Sequence, residues 1–573
     1  MLPQPTLLSE IDLTPVPGKK YLNIEREWRE EFIYFLMVDR FHDDARREPV
    51  LGPNRCKGVA ATDNEFYGGK LKGITQNLDY IAGLGCTAIW LTPVFVNNAG
   101  AYHGYNINNY LDIDSHFGTK QDLIDLVDSA HNYRKDGQPH PIRIILDVVI
   151  NHSGDNWAYP GGNPYRYCND QQFPFGYWRD ANKPIPKELQ NPDFYHRRGD
   201  MQDYDNPPEN QDGDMVGLKD FANDDNQVGS EVINALIKIH SYWIRETDVD
   251  GFRVDAIKHM GALACSRFCS GIREYAYGLG KRRFFLFGEL AVPNDDIVDR
   301  YIGPNTSRSD DQTVFFGIDS VLDFPLAEGK YADPNHSPLR DVLKGYASPQ
   351  TLFNRLEAQR QRALNRGEIG RYLVTFVDNH DSFWQPSGRI GAGPAPDAQI
   401  VGAIGFLLCA LGTPCLYYGT EQGFEGQGGD NSMREAMFDK ATPGRNLLNT
   451  DCQIYRFIAA IAQVMRSTAE LRFGRMYYRQ ISGDGENFGF PYGTSYTLAF
   501  SRILWGSEVL IAYNVSNQER SDCIIVDASF HGEKGSTVKY LYGGVGSVPV
   551  QPASSGARYV QLNLAPHQFV ILR

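Results

Sequence analysis

The 573-residue chain has no CxxC pair, no apolar run approaching the roughly 18 residues of a membrane span, and no repeat of fixed period. Its nine cysteines, an odd number scattered from Cys56 to Cys523, exclude a zinc site built on paired thiolates and a full disulfide framework. They are read as reduced core thiols, with Cys265 and Cys269, four apart on an expected helix, simply packing. The N-terminus MLPQPTLLSEIDLTPVPGKK lacks a basic start followed by an apolar stretch, so a cytoplasmic protein is expected, or a secreted one if a leader has been removed. Basic charge is in deficit, with 56 lysines and arginines against 70 acidic residues and a net charge of -14. That balance argues against nucleic acid and anionic membrane as partners and suits a neutral ligand. Oligomeric state leaves no mark in the sequence.

What is present is apolar material for a large core, 42% hydrophobic and 12% aromatic. Eight short runs rich in β-branched and aromatic residues read as strands: 31–41, 86–95, 142–152, 251–258, 283–290, 321–326, 373–381 and 413–421. Helical periodicity lies between several of them, as at 119–134 and 229–246. Near-continuous apolar strands alternating with helices predict a parallel sheet covered by helices, and eight such units predict a (β/α)8 TIM barrel. Residues 152–217 break the rhythm. Rich in Gly, Pro, Asn and Asp, they are too long for a loop and read as a small subdomain inserted after the third strand. From residue 471 the pattern becomes alternation and turns, which predicts a C-terminal antiparallel β-sandwich. The expected organisation is an N-terminal extension over 1–28, barrel over 29–151 and 218–470, insertion over 152–217, and sandwich over 471–573.

Polar residues at the strand ends carry the chemistry. In GFRVDAIKH, residues two apart share a face, so Arg253 and Asp255 point together while Phe252 and Val254 point away. The pattern recurs: Glu289 closes LFGEL, Asp378, His380 and Asp381 close FVDNHD, and Asp147, Asn151 and His152 lie in DVVINH. AYHGYN adds His103 and Tyr105 after the second strand. Carboxylates gathered at a barrel mouth suit glycosidic bond cleavage, in which one acid stays protonated to release the leaving oxygen and another stays ionised to attack. Arg253 beside Asp255 is expected to keep it anionic, making Asp255 the nucleophile and Glu289 the acid. A barrel enzyme using the same carboxylates to hold Mg2+ also fits the bare pattern, and Arg253 argues against it.

DVVINH, GFRVDAIKH, FGEL and FVDNHD, in that order, resemble the ordered sequence regions of the α-amylase family, glycoside hydrolase family 13. The resemblance extends to AYHGYN, to LKDF at 218–221, to GTPCLYYGTE and to the ending LAPHQFVIL, and covers roughly residues 30–573. It implies a retaining mechanism with Asp255 as nucleophile, Glu289 as general acid/base and Asp381 as the carboxylate that grips sugar hydroxyls. It further implies that Arg253 holds Asp255, that His103, His152 and His380 hydrogen-bond the sugar, and that Tyr105 stacks on it. Lys258 and His259 match members acting on α-1,4-glucans, where the pair reaches the leaving-group side.

The implied substrate is starch, glycogen or maltooligosaccharide. A glucanotransferase or cyclising transglycosylase sharing the same intermediate stands as the alternative. An α-1,6-glucosidase, or a non-catalytic amylase-like binding protein, fits less well because Lys258, His259 and all three carboxylates are kept. No cofactor is implied for the chemistry. In many relatives the residues matching Asn151, Asp220 and the His259 carbonyl bind a structural calcium ion; the plain alternative has Asn151 and Asp220 bonding the insertion's backbone. One departure from the family stands out: Lys219 in LKDFANDD occupies a position where proline is common.

Overall fold

The computed structural model describes residues 4–61, 65–305, 315–328, 337–362, 373–381, 388–442, 445–533 and 535–573. All eight expected strands form, shorter than the apolar runs that announce them: β1 Ile33–Leu36, β2 Ala88–Leu91, β3 Arg143–Val148, β4 Gly251–Val254, β5 Phe285–Gly288, β6 Ser320–Leu322, β7 Leu373–Thr375 and β8 Thr413–Tyr417. They pair in parallel, each with its neighbours in sequence, and Ile33 opposite Cys415 closes β1 on β8 into a barrel. The runs overshoot because the residues beyond each strand end turn into the loops of the rim.

The helices cover this barrel with one apolar face each. α1 Lys120–His131 starts at a capping box in which Thr119 and Asp122 bond each other's backbone N–H. α2 Gln227–Thr247 buries Val232, Leu236, Ile239 and Trp243 at helical spacing. α3 Gly261–Gly278 follows β4, and α4 Asp397–Cys409 leads into β8. α4 is buried on nearly every side because the C-terminal sheet lies over it. A Cβ at Gly402 would meet the Tyr513 ring at 2.3 Å, so only glycine admits that contact.

That C-terminal sheet has nine antiparallel strands between Arg475 and Leu572 and encloses its own apolar cluster, including Leu510, Ile524, Val560 and Val570. The segment 152–217 between β3 and α2 has almost no regular structure. Its strands are two residues long, Trp157–Ala158 against Tyr177–Trp178, and it is held by aromatic contacts among Trp157, Tyr159, Phe173, Phe175, Trp178 and Tyr195.

Lys219 explains its own departure from the family pattern. Its ammonium is buried over the Trp157 ring at 4.8 Å and the Tyr159 ring at 5.1 Å, and it pairs with Asp214 at 3.1 Å. The N-terminal arm, unreadable in the sequence, runs as a strap. Thr6 accepts from Lys187 N and Leu8 N donates to Glu188 in the insertion. Leu13, Thr14 and Leu22 bond to Tyr275, Arg245 and Asp248, and Trp28 stacks on Phe285 at 4.3 Å beneath the barrel.

Candidate active site

β3, β4 and β5 lie side by side, with Arg253 in register with Asp147 on one flank and Phe287 on the other. The alternation that sends Phe252 and Val254 outward sends Arg253 inward, where it is 1% exposed. Its Nη1 donates to Asp147 at 2.9 Å and to Asp255 at 2.6 Å, while Nη2 donates to Glu289 at 2.6 Å. One guanidinium thus gathers three carboxylates from three adjacent strands. Asp255 and Glu289 are brought together on it.

The turn after β4 completes this contact. Ala256 takes a left-handed conformation, φ 50°, which costs a non-glycine residue roughly 1 kcal/mol. The conformation aims its N–H at the Glu289 carboxylate, 3.2 Å away. Strain therefore sits where two candidate catalytic carboxyls meet.

Electrostatics separates the two groups. Burial pushes Asp255 up to about 6 although Arg253 opposes it. Burial pushes Glu289 up to about 8, with Asp255 and Asp381 adding to the rise. Arg253 does lower Asp255, as the sequence leads one to expect, but desolvation outweighs the guanidinium and the net shift is upward. The larger rise falls on Glu289, so of the two it is the carboxyl that holds its proton more tightly.

Tyr105, His103 and His380 form one wall. A Cβ at Gly104 would strike the Pro93 carbonyl at 2.1 Å, so the YHGY turn that places His103 and Tyr105 requires glycine. The Tyr105 hydroxyl donates to Asp147 at 2.9 Å and meets His380 Nε2 at 2.9 Å, and its ring centroid lies 5.8 Å from that of His103 and 5.6 Å from that of His380. Asp381 places one oxygen 3.2 Å from His380 Nε2 and the other 2.6 Å from Arg434 Nη2. His152 lies 4.0 Å from Asp255 with both ring nitrogens buried, and burial lowers it to about 4 against a weaker pull from the Tyr105 backbone. It is a neutral imidazole available to a bound hydroxyl.

Lys258 and His259 stand apart from this cluster, facing the insertion. Lys258 pairs with Asp205 at 2.6 Å, and His259 Nδ1 meets the Asn210 carbonyl at 2.7 Å. A cavity of about 400 Å³ opens beside Lys258, lined also by Asp205, Gln211, Arg267 and Tyr301.

Asn151 and Asp220 come together at the barrel–insertion junction, where Asn151 Nδ2 donates to Asp220 at 3.1 Å. The other Asp220 oxygen holds His196 Nδ1 at 2.5 Å, and His196 Nε2 reaches Asp224 at 3.1 Å. Among the described residues, the acidic and imidazole side chains close enough to share a metal ion are His196, Asp212 and Asp224, whose ligand atoms lie within 4.8 Å of one another.

Two further contributors have no assigned role in the sequence reading. Trp90 on β2 donates to Asp147 at 3.1 Å and lies 5.3 Å from the Arg253 guanidinium. Its apolar strand gave no reason to single it out. Arg434 lies in an irregular segment after β8, where no periodicity points at Asp381.

Residues 35–447 match the family model described as the α-amylase catalytic domain. The chain is 28% identical to an α-amylase of Streptomyces lividans over 90% of its own length and spans 58% of that relative's length. It is 27% identical to a cyclomaltodextrin glucanotransferase of Klebsiella oxytoca, covering 80% of this chain and 67% of that one. Among solved structures, the α-amylase of Geobacillus thermoleovorans complexed with acarbose superposes with a TM-score of 0.68 at 25% identity, covering 96% of this chain and 99% of that one.

Proposed function

Because the chain belongs to the α-amylase family, we propose that it cleaves α-1,4-glucosidic bonds in starch, glycogen or maltooligosaccharides with retention of configuration. The observation that carries the reading is the Arg253 fork, which holds Asp255 and Glu289 together while their proton affinities are split to about 6 and about 8. Two carboxyls gathered on one guanidinium match the close pairing of a retaining enzyme better than the wide spacing that an inverting enzyme needs for its water.

In the first step Glu289 gives its proton to the glycosidic oxygen as that bond breaks, and an Asp255 oxygen bonds to the anomeric carbon. In the second, Glu289, now a carboxylate, takes a proton from water, whose oxygen displaces Asp255 and restores it. Asp381, His103, His152 and His380 would bond the sugar hydroxyls, and the Tyr105 ring would stack on the apolar face of the pyranose.

Transfer to a sugar acceptor is the second reading, favoured by the likeness to a glucanotransferase and by the cavity beside Lys258, whose mixed polar and apolar lining suits an incoming glucan. A product time course from maltoheptaose, resolved by size and anomeric form, separates them. Short α-anomeric products with rising reducing ends support hydrolysis. Longer or cyclic products without that rise support transfer, and no reaction overturns both.

The Asn151 and Asp220 pair does not fit calcium as it stands. Asn151 Oδ1 is buried and unpartnered, as a ligand would be, but calcium takes six to eight oxygens, and an imidazole occupies the open side of Asp220. No step of the mechanism runs through the ion.

A further inference from the structure

Of the three carboxylates in the proposed reaction, Asp381 is the least enclosed. Its side chain is 24% exposed, against 9% for Asp255 and 10% for Glu289. Asp255 and Glu289 are fixed by the shared guanidinium and by their place at strand ends. Asp381 lies six residues past the end of β7 and has neither support.

Arg434 supplies what the strand does not. Its guanidinium donates to three groups and also lies 3.5 Å from the Asp430 carboxylate. Nη2 donates to Asp381 Oδ1 at 2.6 Å, Nε donates to the His380 carbonyl at 2.9 Å, and Nη1 donates to the Tyr102 hydroxyl at 3.1 Å. The first contact sets the carboxylate's rotation and the second pins the peptide that carries it. The third anchors the guanidinium itself, because Tyr102 donates onward to Asn431 at 2.7 Å and carries Arg40 over its ring at 4.0 Å. The second Asp381 oxygen faces His380 Nε2 at 3.2 Å. Both oxygens are therefore oriented before any substrate arrives.

We propose that Arg434 is a positioning residue for Asp381, fixing the carboxylate in the direction the transition state requires. The proposal rests on the glycosidase reading above. A carboxylate left to rotate still meets a sugar in the ground state, so the loss appears in turnover and not in affinity. Burial, with the Arg434 charge adding to it, lowers His103 to about 4 and lowers His380 as well, so both imidazoles stay neutral beside the sugar. Lysine cannot replace the fork, since a single ammonium is a point charge and lacks the rigid spread of donors that reaches all three acceptors.

The test is steady-state kinetics on maltoheptaose for wild type, Arg434→Lys, Arg434→Gln and Tyr102→Phe, with thermal melts of each. The Arg434 variants are expected to lose about a hundredfold in kcat, the cost of misplacing a reacting group by an ångström, with KM within threefold of wild type. Added guanidinium ion is expected to restore part of the kcat of Arg434→Gln. Tyr102→Phe, which removes only an anchoring hydroxyl, is expected to lower kcat several-fold at unchanged KM, and it decides the matter should the Arg434 variants fail to fold. Wild-type kcat in folded Arg434 variants, or in Tyr102→Phe, overturns the proposal while leaving the glycosidase reading intact. A wild-type protein that turns over no α-glucan overturns the reading itself.

Discussion

Arg253 shows how a single side chain sets the chemistry of its neighbours. It is buried with three carboxylates on one guanidinium, so desolvation and attraction act on the same groups in opposite directions. The result is a split in which Asp255 titrates near 6 and Glu289 near 8. Activity needs Asp255 ionised and Glu289 protonated, so kcat/KM on maltoheptaose should rise through pH 6, peak near neutrality and fall through pH 8. A profile still rising at pH 9 would contradict the assignment of Glu289 as the acid. Glu289→Gln keeps the shape of the side chain but has no proton to give. It is expected to lower kcat by at least the 10²- to 10⁴-fold typical of lost general acid catalysis, with the melting temperature little changed. Both carboxylates are legible in the sequence because strand alternation fixes which way they point. Asp147 was visible too, inside the apolar run IRIILDVV, but that it shares Arg253 depends on the register of β3 against β4, which the sequence does not print.

Among the elements, the insertion owes little to hydrogen-bonded structure and much to its aromatic cluster with Lys219 at the centre. That lysine's ammonium lies in contact range of two rings and of Asp214, which also accepts from Tyr159 at 3.0 Å and from the Asp220 N–H at 3.1 Å. Removing one partner of a buried pair leaves the other charge stranded. Lys219→Met is therefore expected to cost about 3 to 5 kcal/mol of stability in denaturant unfolding. An unchanged midpoint would show that the insertion does not depend on this clasp. The junction next to it offers a second test. With His196 bridging Asp220 and Asp224, EDTA dialysis is expected to leave the melting temperature and the activity unaltered. A large drop, reversed by added calcium, would show that the ion displaces the imidazole. The sequence pointed to Asn151 and Asp220 through family likeness alone. His196, 24 residues from Asp220 within an irregular stretch, could not be brought there by any periodicity.

At the scale of the molecule, the closed barrel buries an ion network at the end opposite the candidate site. Lys281 pairs with Asp248 and Asp250, and His131 meets Asp250 at 2.8 Å. Burial pulls His131 down, but Asp250 and Asp248 more than offset it and push it up to about 9. A histidine of ordinary value when unfolded and near 9 when folded contributes stability that is complete below about pH 6.5 and is lost as pH rises through 9. By linkage the contribution is on the order of 3 kcal/mol. Unfolding free energy is expected to decline across that window, and His131→Asn should flatten the decline; a wild-type curve flat from pH 6.5 to 9 would refute the pairing.

The N-terminal strap crosses the same region, tying the insertion to the barrel floor through contacts such as Leu8 to Glu188 and Leu22 to Asp248. By itself the sequence determined the eight strands, the barrel they close and the side chains that face its mouth, because each follows from local periodicity and from polar residues ending apolar runs. Only the tertiary structure decided that one arginine is shared by three carboxylates, that Arg434 orients Asp381, that Lys219 is buried and that the arm is a strap. Those are contacts between irregular segments far apart in the chain, where neither spacing nor composition carries direction and only the folded geometry supplies it.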